Sequence, residues 1–74
     1  MPEAQTFALR GDHITLDALL KATGLAPSGG AAKVLIAGGQ VQVNGEVDTR
    51  RGRKLRAGDE VVLGSQRVRL QAAP

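Results

Sequence analysis

Residues 28–47 read SGGAAKVLIAGGQVQVNGEV. This stretch decides the fold because the spacing of its apolar residues changes once, from that of a helix to that of a strand. Ser28 is a favoured N-cap residue, and the residues after it place apolar side chains on one helical face: Ala32, Leu35 and Ile36. The pattern predicts a helix over 29–37, which Gly38-Gly39 ends.

The second half of the stretch has the two-residue period of a strand. Polar and apolar residues alternate over 40–43, and Asn44-Gly45 follows before Glu46-Val47. This dipeptide is a strong hairpin signal, because both residues tolerate the positive φ angles of a type I′ turn. We therefore expect a strand at 40–43 and a hairpin turn at Asn44-Gly45.

Outside this stretch, the same criteria predict one more helix and three more strands. Thr15 is placed as the N-cap of the first helix, and Gly24 and Pro27 end it. The predicted elements are a strand at 5–9, a helix at 16–22, strands at 60–63 and 67–70, and a tail at 71–74. Helices that precede a run of strands indicate an α+β domain, with the helices on one face of a small sheet.

Length and composition limit the classes of protein to consider. The 74 residues have room for a single domain, which we assign to 1–74, and they include no Cys and one His. Disulfides and a zinc cage are therefore not expected, and no cofactor is predicted. Residues 1–6 lack a signal-peptide pattern, and no apolar run approaches the ~20 residues that cross a bilayer. We expect a cytoplasmic monomer with no membrane partner and no small-molecule substrate.

Positive charge is concentrated near the end of the chain. Residues 1–49 carry three basic and five acidic side chains, a balance of −2, whereas residues 50–74 carry seven and two, a balance of +5. Five of these cations lie in RRGRKLR at 50–56, which we call the basic run. Such a field attracts polyanions, of which nucleic acid is the commonest in cells. The alternative is a solvated surface that only aids solubility.

Phe7 is the only aromatic residue in the sequence, which limits how nucleic acid could bind. Single-strand binders and many RNA-recognition modules stack bases on several aromatic rings. A nucleic acid would therefore be recognised here through phosphates, sugar hydroxyls and shape.

Ser28-Gly29-Gly30, at the start of the second helix, is the other candidate binding feature. Glycine in a helix costs up to about 1 kcal/mol relative to alanine, so stability does not favour this pair. Without Cβ atoms, however, a phosphate can approach the N–H groups at the helix N-terminus, where the dipole favours anions. Lys33, one turn on, could add its ammonium. The alternative is that the glycines permit close packing or a positive φ.

Enzyme signatures are missing from the sequence. Gly30 stands where a phosphate-binding Walker loop needs Lys, and there is no Cys nucleophile and no second His. Asp59 and Glu60 are adjacent, so on a strand their side chains would point to opposite faces. We therefore predict a protein that is not an enzyme and has no catalytic or metal-binding residues.

Taken in order, these motifs resemble the S-four domain, an RNA-binding module named after a ribosomal protein. The resemblance covers about 14–63 and is strongest to small stand-alone bacterial members. It rests on Leu16-Asp17-x-x-Leu20, Gly24-Leu25, Ser28-x-x-x-Ala32-Lys33-x-x-Ile36, Gly39-x-Val41-x-Val43-Asn44-Gly45 and Gly58-Asp59-x-Val61. Thr15 and Gly29 stand where many members have Arg.

The resemblance implies two short helices packed on a small, mostly antiparallel sheet, known as the S-four or alpha-L RNA-binding fold. RNA would lie along the second helix and the adjoining loop. Carried over by position, the RNA-binding residues are Ser28, Gly29, Gly30 and Lys33 at the helix, with Arg50, Arg51, Arg53 and Lys54 on the loop.

We therefore predict a non-catalytic protein that binds structured RNA, ribosomal or similar to transfer RNA, by phosphate and shape contacts. A duplex DNA-binding protein is one alternative, although Lys33 is the only side chain on the second helix suited to reading base edges. An adaptor that docks an acidic protein partner is the other. Arg50, Arg51 and Arg53 are expected to contribute little to folding, because exposed charges seldom do.

Overall fold

The protein is described by a computed structural model that covers residues 5–73. Residues 1–4, in which no signal peptide is expected, and Pro74 of the predicted tail lie outside the described residues. The elements in chain order are β1 (Gln5–Leu9), β2 (Ile14–Thr15), α1 (Leu16–Ala22), α2 (Gly29–Ala37), β3 (Val41–Val43), β4 (Glu46–Val47), β5 (Lys54–Leu55), β6 (Glu60–Leu63) and β7 (Gln66–Ala72).

The main sheet has five strands in the order β1-β7-β6-β3-β4. Strand β1 pairs in parallel with β7, and the other neighbours are antiparallel. Strands β2 and β5 form a separate antiparallel pair. The α+β class and the mostly antiparallel sheet are therefore confirmed.

Both helices begin and end at the predicted residues, but their N-termini are capped differently. The Oγ of Ser28 accepts a hydrogen bond from the Ala31 N–H at 3.1 Å, as an N-cap should. The Thr15 hydroxyl instead donates to the Asp17 carboxylate at 2.6 Å and caps no backbone group. Backbone carbonyls of the basic run receive the first N–H groups of α1, so Thr15 is not needed for that purpose.

The type I′ turn at Asn44-Gly45 is confirmed, because the two φ angles are +53° and +87°. The Asn44 side chain also connects this hairpin to the next strand. Its Nδ2 donates to the Asp59 carboxylate and its Oδ1 accepts from the Glu60 N–H, both at 3.0 Å. The turn residue therefore fixes the start of β6.

The end of the chain and the basic run differ from the sequence prediction. The predicted tail is wrong for Gln71 and Ala72, which continue β7 because they pair with Ala8 and Leu9 of β1. Strands β2 and β5 were not predicted, since two residues are too few to show a period.

The core lies between the two helices and one face of the main sheet. Helix α1 buries three leucines and α2 buries Ala32 and Ile36, whereas Leu35 is only half-buried. Alternate strand residues complete the core, so the other face of the sheet stays open to solvent. Within residues 5–73, no helix has the length and apolar character needed to cross a membrane. The buried apolar residues are Leu9, Leu16, Leu19, Leu20, Ala26, Ala32, Ile36, Val41, Val43, Leu55, Val61, Val68 and Leu70.

Replacing Asn44 separates the two roles of this residue. Asn44→Gly keeps a backbone suited to positive φ but removes two side-chain hydrogen bonds, and Asn44→Ala also introduces strain at φ +53°. We expect urea denaturation to show a loss of about 1 kcal/mol for Gly, at the scale of a hydrogen bond, and a further loss of about 1 kcal/mol for Ala. Equal stability of Asn44→Ala and wild type would contradict both roles.

Candidate nucleic-acid interface

The start of α2 is an exposed helix N-terminus. Ser28, Gly29 and Gly30 are all exposed, and so is Lys33 one turn further on. The first N–H groups of a helix have no acceptor inside it, so those of Gly29 and Gly30 face outward. Because the Ser28 Oγ accepts from Ala31, its O–H remains able to donate to a ligand. The four residues predicted at this helix therefore share one accessible surface.

Neither glycine is required by the backbone or by packing. Neither has a positive φ angle, unlike Gly45 and Gly58 in the turns. A Cβ at Gly29 would meet no atom within 4 Å, and one at Gly30 would meet only the Ser28 Oγ, at 3.8 Å. The packing and positive-φ explanations for the pair are therefore excluded. What the glycines do provide is an open approach to the helix N-terminus.

The basic run is folded against the start of α1. The Arg53 N–H donates to the Arg50 carbonyl at 3.1 Å and closes a turn. The carbonyls of Arg53 and Arg51 accept from the N–H groups of Leu16 and Asp17, at 2.9 and 3.1 Å. Lys54 lies in β5, paired with β2, rather than in the loop where the resemblance placed it. The run is therefore held by the same bonds that complete the first helix.

The buried carboxylate of Asp48 holds the basic run in place through hydrogen bonds. Asp48 is only 6% exposed, and it accepts hydrogen bonds from the backbone N–H, Nε and Nη2 of Arg50 and from Nη1 of Arg53, at 2.8–3.1 Å. The side-chain hydrogen bond from Arg50 is the largest influence on its pKa, which lies well below the usual range despite burial. Asp48 is therefore charged across the physiological pH range.

This anchor divides the basic run into two groups. Arg50 and Arg53 both form ion pairs with Asp48, although the Arg50 side chain remains 70% exposed. Within residues 5–73, the side chains of Arg51, Lys54 and Arg56 form no ion pair. The structure thus changes the expectation that Arg50, Arg51 and Arg53 all matter little for folding, because Arg50 and Arg53 stabilise the loop. The side chains of Arg51, Lys54 and Arg56 remain accessible to a ligand.

The two candidate surfaces lie at opposite ends of α1. The basic run contacts its first residues, and the loop after its last turn leads to α2, with the Ala26 N–H bonded to the Leu20 carbonyl at 3.0 Å. Helix α1, with 7 residues, is about 10 Å long. The predicted site residues therefore form two fixed groups rather than one pocket.

Sequence reasoning missed Asp48 and did not include Arg56. The only signal for Asp48 was an acidic residue two positions before a run of cations, and its burial could not be seen from that pattern. Within the described part of the chain, no group of three or more potential metal-ligating side chains is present. A groove of about 430 Å³ is lined by Phe7–Arg10, His13 and Ile14, and Ile14 pairs with Leu55 of β5.

Comparison with known proteins identifies the family. A family model described as "S4 domain" matches residues 7–71, which extends beyond the 14–63 of the resemblance because it includes most of β1 and β7. The chain is 43% identical over 68 residues to the "Putative RNA-binding protein YbcJ" of Escherichia coli K12, covering 90% of this chain and 97% of that protein. This chain belongs to the S4 (S-four) domain family.

Two further relatives agree with this assignment. The "Probable ribosome maturation protein RlbA" of Bacillus subtilis is 43% identical over 60 residues, covering 81% of this chain and 84% of that protein. The solution structure of YbcJ from E. coli superimposes with a TM-score of 0.74 at 41% identity, over 97% of this chain and 92% of that one. That structure is described as revealing an alpha-L motif involved in RNA binding.

The Asp48 anchor predicts a pH-dependent loss of stability. The uncharged amide of Asp48→Asn cannot replace the carboxylate as acceptor of the four hydrogen bonds from Arg50 and Arg53. Urea denaturation at neutral pH should therefore show a loss of about 1–2 kcal/mol in the free energy of unfolding. A carboxyl with a lowered folded-state pKa stabilises above its unfolded-state pKa of about 3.9, and this contribution is lost as the pH falls. The difference between wild type and variant should therefore shrink below about pH 4.

The control is Asp12→Asn, which removes a charge from an exposed loop residue. It should change the free energy of unfolding little at any pH. A difference between wild type and Asp48→Asn that stays constant from neutral pH to acid would contradict the anchoring role of the charge.

Proposed function

We propose that this protein is a non-catalytic RNA-binding protein that recognises structured RNA through phosphate and shape contacts. The observation that carries the proposal is the pairing of an unobstructed helix N-terminus with a basic run held in one conformation. Membership of the S4 domain family and similarity to YbcJ, which is named a putative RNA-binding protein, support it. No nucleophile, metal or cofactor takes part in this function.

The first contact is a phosphate at the N-terminus of α2. One phosphate oxygen accepts from the N–H groups of Gly29 and Gly30, and the Ser28 hydroxyl donates to a second oxygen. The Lys33 ammonium, exposed on the next turn, adds a charge contact. A Cβ at either glycine would project from the surface that the phosphate approaches.

The second contact is a segment of RNA backbone on the basic run. Arg51, Lys54 and Arg56 bind phosphates, and the free guanidinium donors of Arg50 assist them. Because Asp48 holds Arg50 and Arg53, the loop is ordered before RNA arrives, and less conformational entropy is lost on binding. Arg53 is mainly structural in this proposal.

Shape recognition follows from the fixed spacing of the two contacts. Phosphate contacts set position and carry little sequence information, so selectivity requires RNA whose backbone segments match the positions of both contacts. Helical RNA presents phosphates and 2′-hydroxyls at regular spacing, whereas a flexible single strand must be ordered first.

A ribosomal RNA target is the finer form of the proposal. RlbA is named a probable ribosome maturation protein, which favours ribosomal over transfer RNA. A cytoplasmic location remains a prediction. Nothing in the geometry favours duplex DNA or an acidic protein partner over RNA, so both serve as competitors in the binding assays.

The glycine pair provides the sharpest test of the helix contact. Gly29→Ala/Gly30→Ala should be slightly more stable in thermal melts, because alanine favours the helix and meets open space. It should bind transfer RNA, used as a structured probe, about tenfold more weakly, the equivalent of about 1.4 kcal/mol for one weakened phosphate contact.

The matched control for this variant is Val34→Ala, which raises helix propensity at a residue that is 69% exposed in the same helix. It should be stabilised without weaker RNA binding. Undiminished RNA affinity in a stable glycine double variant would eliminate the phosphate site at α2.

The basic run is tested by separating its two groups. Arg51→Ala/Lys54→Ala should melt as wild type does, and the slope of log affinity against log salt should become shallower by about 1.5, at 0.7–0.9 per lost phosphate contact. Arg50→Ala/Arg53→Ala should instead lower the melting temperature, because Asp48 is left buried without its partners. A salt slope that is unchanged in Arg51→Ala/Lys54→Ala would contradict RNA binding by this run.

A further inference from the structure

The open face of the main sheet carries a second group of cations. Arg67 and Arg69 point to this face from β7, and Glu60 lies opposite Arg69 on β6. The two arginine side chains are 54% and 65% exposed. No helix covers them, since α1 and α2 pack on the opposite face, where Val61, Val68 and Leu70 are buried.

One carboxylate serves both arginines. Glu60 Oε2 lies 3.3 Å from Nη2 of Arg69, and Glu60 Oε1 lies 3.6 Å from Nε of Arg67. Exposed pairs of this length contribute little to folding, and two cations beside one anion leave a net positive charge on this face. The stability of the sheet therefore does not explain the second arginine.

The arginine pair adjoins the end of the basic run. Arg56 is followed by a turn at 57–58, and the Arg56 N–H donates to the Asp59 carboxylate at 2.8 Å. This turn is bonded to β7, because the Gly58 N–H donates to the Leu70 carbonyl and the Leu70 N–H to the Asp59 carbonyl, both at 2.9 Å. Arg69 is the neighbour of Leu70. Backbone hydrogen bonds thus connect the end of the run to the strand that carries Arg67 and Arg69.

The acidic residues between the basic run and the arginine pair, Asp59 and Glu60, already have partners within the protein. The carboxylate of Asp59 accepts from the Arg56 N–H and from Nδ2 of Asn44. Burial raises the pKa of this carboxyl, but these hydrogen bonds and the charges of Arg53 and Arg56 outweigh that effect and lower it. Glu60 is therefore the one anion among the described residues that competes directly for Arg67 and Arg69.

We propose that the RNA-binding surface extends from the basic run onto the open face of the sheet, where Arg67 and Arg69 bind a further segment of the same RNA backbone. The inference rests on the proposed function and deepens it. Before binding, Glu60 holds both guanidinium groups in place. An RNA phosphate then replaces Glu60 as their partner, and the contacts carry no base recognition, because no aromatic side chain lies on this face.

Glu60→Gln removes the negative charge that competes with RNA and nearly keeps the shape of the side chain. With transfer RNA as the probe, Glu60→Gln should bind about threefold more tightly, the scale of one exposed ion pair. Arg67→Gln/Arg69→Gln should bind more weakly, with a salt slope shallower by about 1.5. Added to that double variant, Glu60→Gln should have no further effect, because its partners are gone.

The control for Glu60→Gln is Glu46→Gln, which makes the same change in net charge on the other face of the sheet. If Glu60→Gln and Glu46→Gln raise affinity equally in both backgrounds, the gain is only a net-charge effect and the extension is overturned. Thermal melts of all variants should agree within a few degrees.

Comparison with Arg51→Ala/Lys54→Ala distinguishes failure of the extension from failure of the proposed function. Weaker binding by that variant, together with wild-type binding by Arg67→Gln/Arg69→Gln, would leave the proposed function intact and remove the extension. Wild-type binding by both would overturn the proposed function as well.

Discussion

The hydrogen bonds to the buried carboxylate of Asp48 are the interaction on which the rest of the structure depends. They gather Arg50 and Arg53 into one turn, although five cations within seven residues would otherwise repel one another. The same turn presents carbonyls to the first N–H groups of α1, whose N-cap residue Thr15 provides no side-chain hydrogen bond to the backbone. The fold of the first helix and the shape of the proposed binding loop therefore depend on the same few bonds.

This coupling gives the cations of the chain different roles. Arg50 and Arg53 stabilise the loop, and Arg51, Lys54 and Arg56 extend from a surface that is already ordered. Beyond the other end of α1, Gly29 and Gly30 lower the stability of α2 but leave its N-terminus open. In the proposed function, both arrangements reduce the conformational adjustment needed when an RNA backbone binds, which suits recognition by shape rather than by sequence.

The sequence was sufficient where local rules determine structure. The helices over 16–22 and 29–37 follow from apolar period and end signals, and the turn at Asn44-Gly45 from its tolerance of positive φ. It was insufficient where the partner is distant in the chain, as for Gln71 and Ala72, which are ordered by β1, and for the pairing of β2 with β5. The proposed binding residues were predicted from charge and family resemblance, but the division of the basic run depends on the burial of Asp48, which only the folded structure reveals.

Amide chemical shifts of the ¹⁵N-labelled protein, followed during titration with a short RNA stem-loop, examine both proposed contacts at once. The largest changes should occur at Gly29, Gly30 and the basic run, and a DNA stem-loop of the same sequence should produce smaller ones at equal salt. Changes confined to the groove along Phe7–Arg10, with the amides of both glycines and of Arg51 unmoved, would contradict the account.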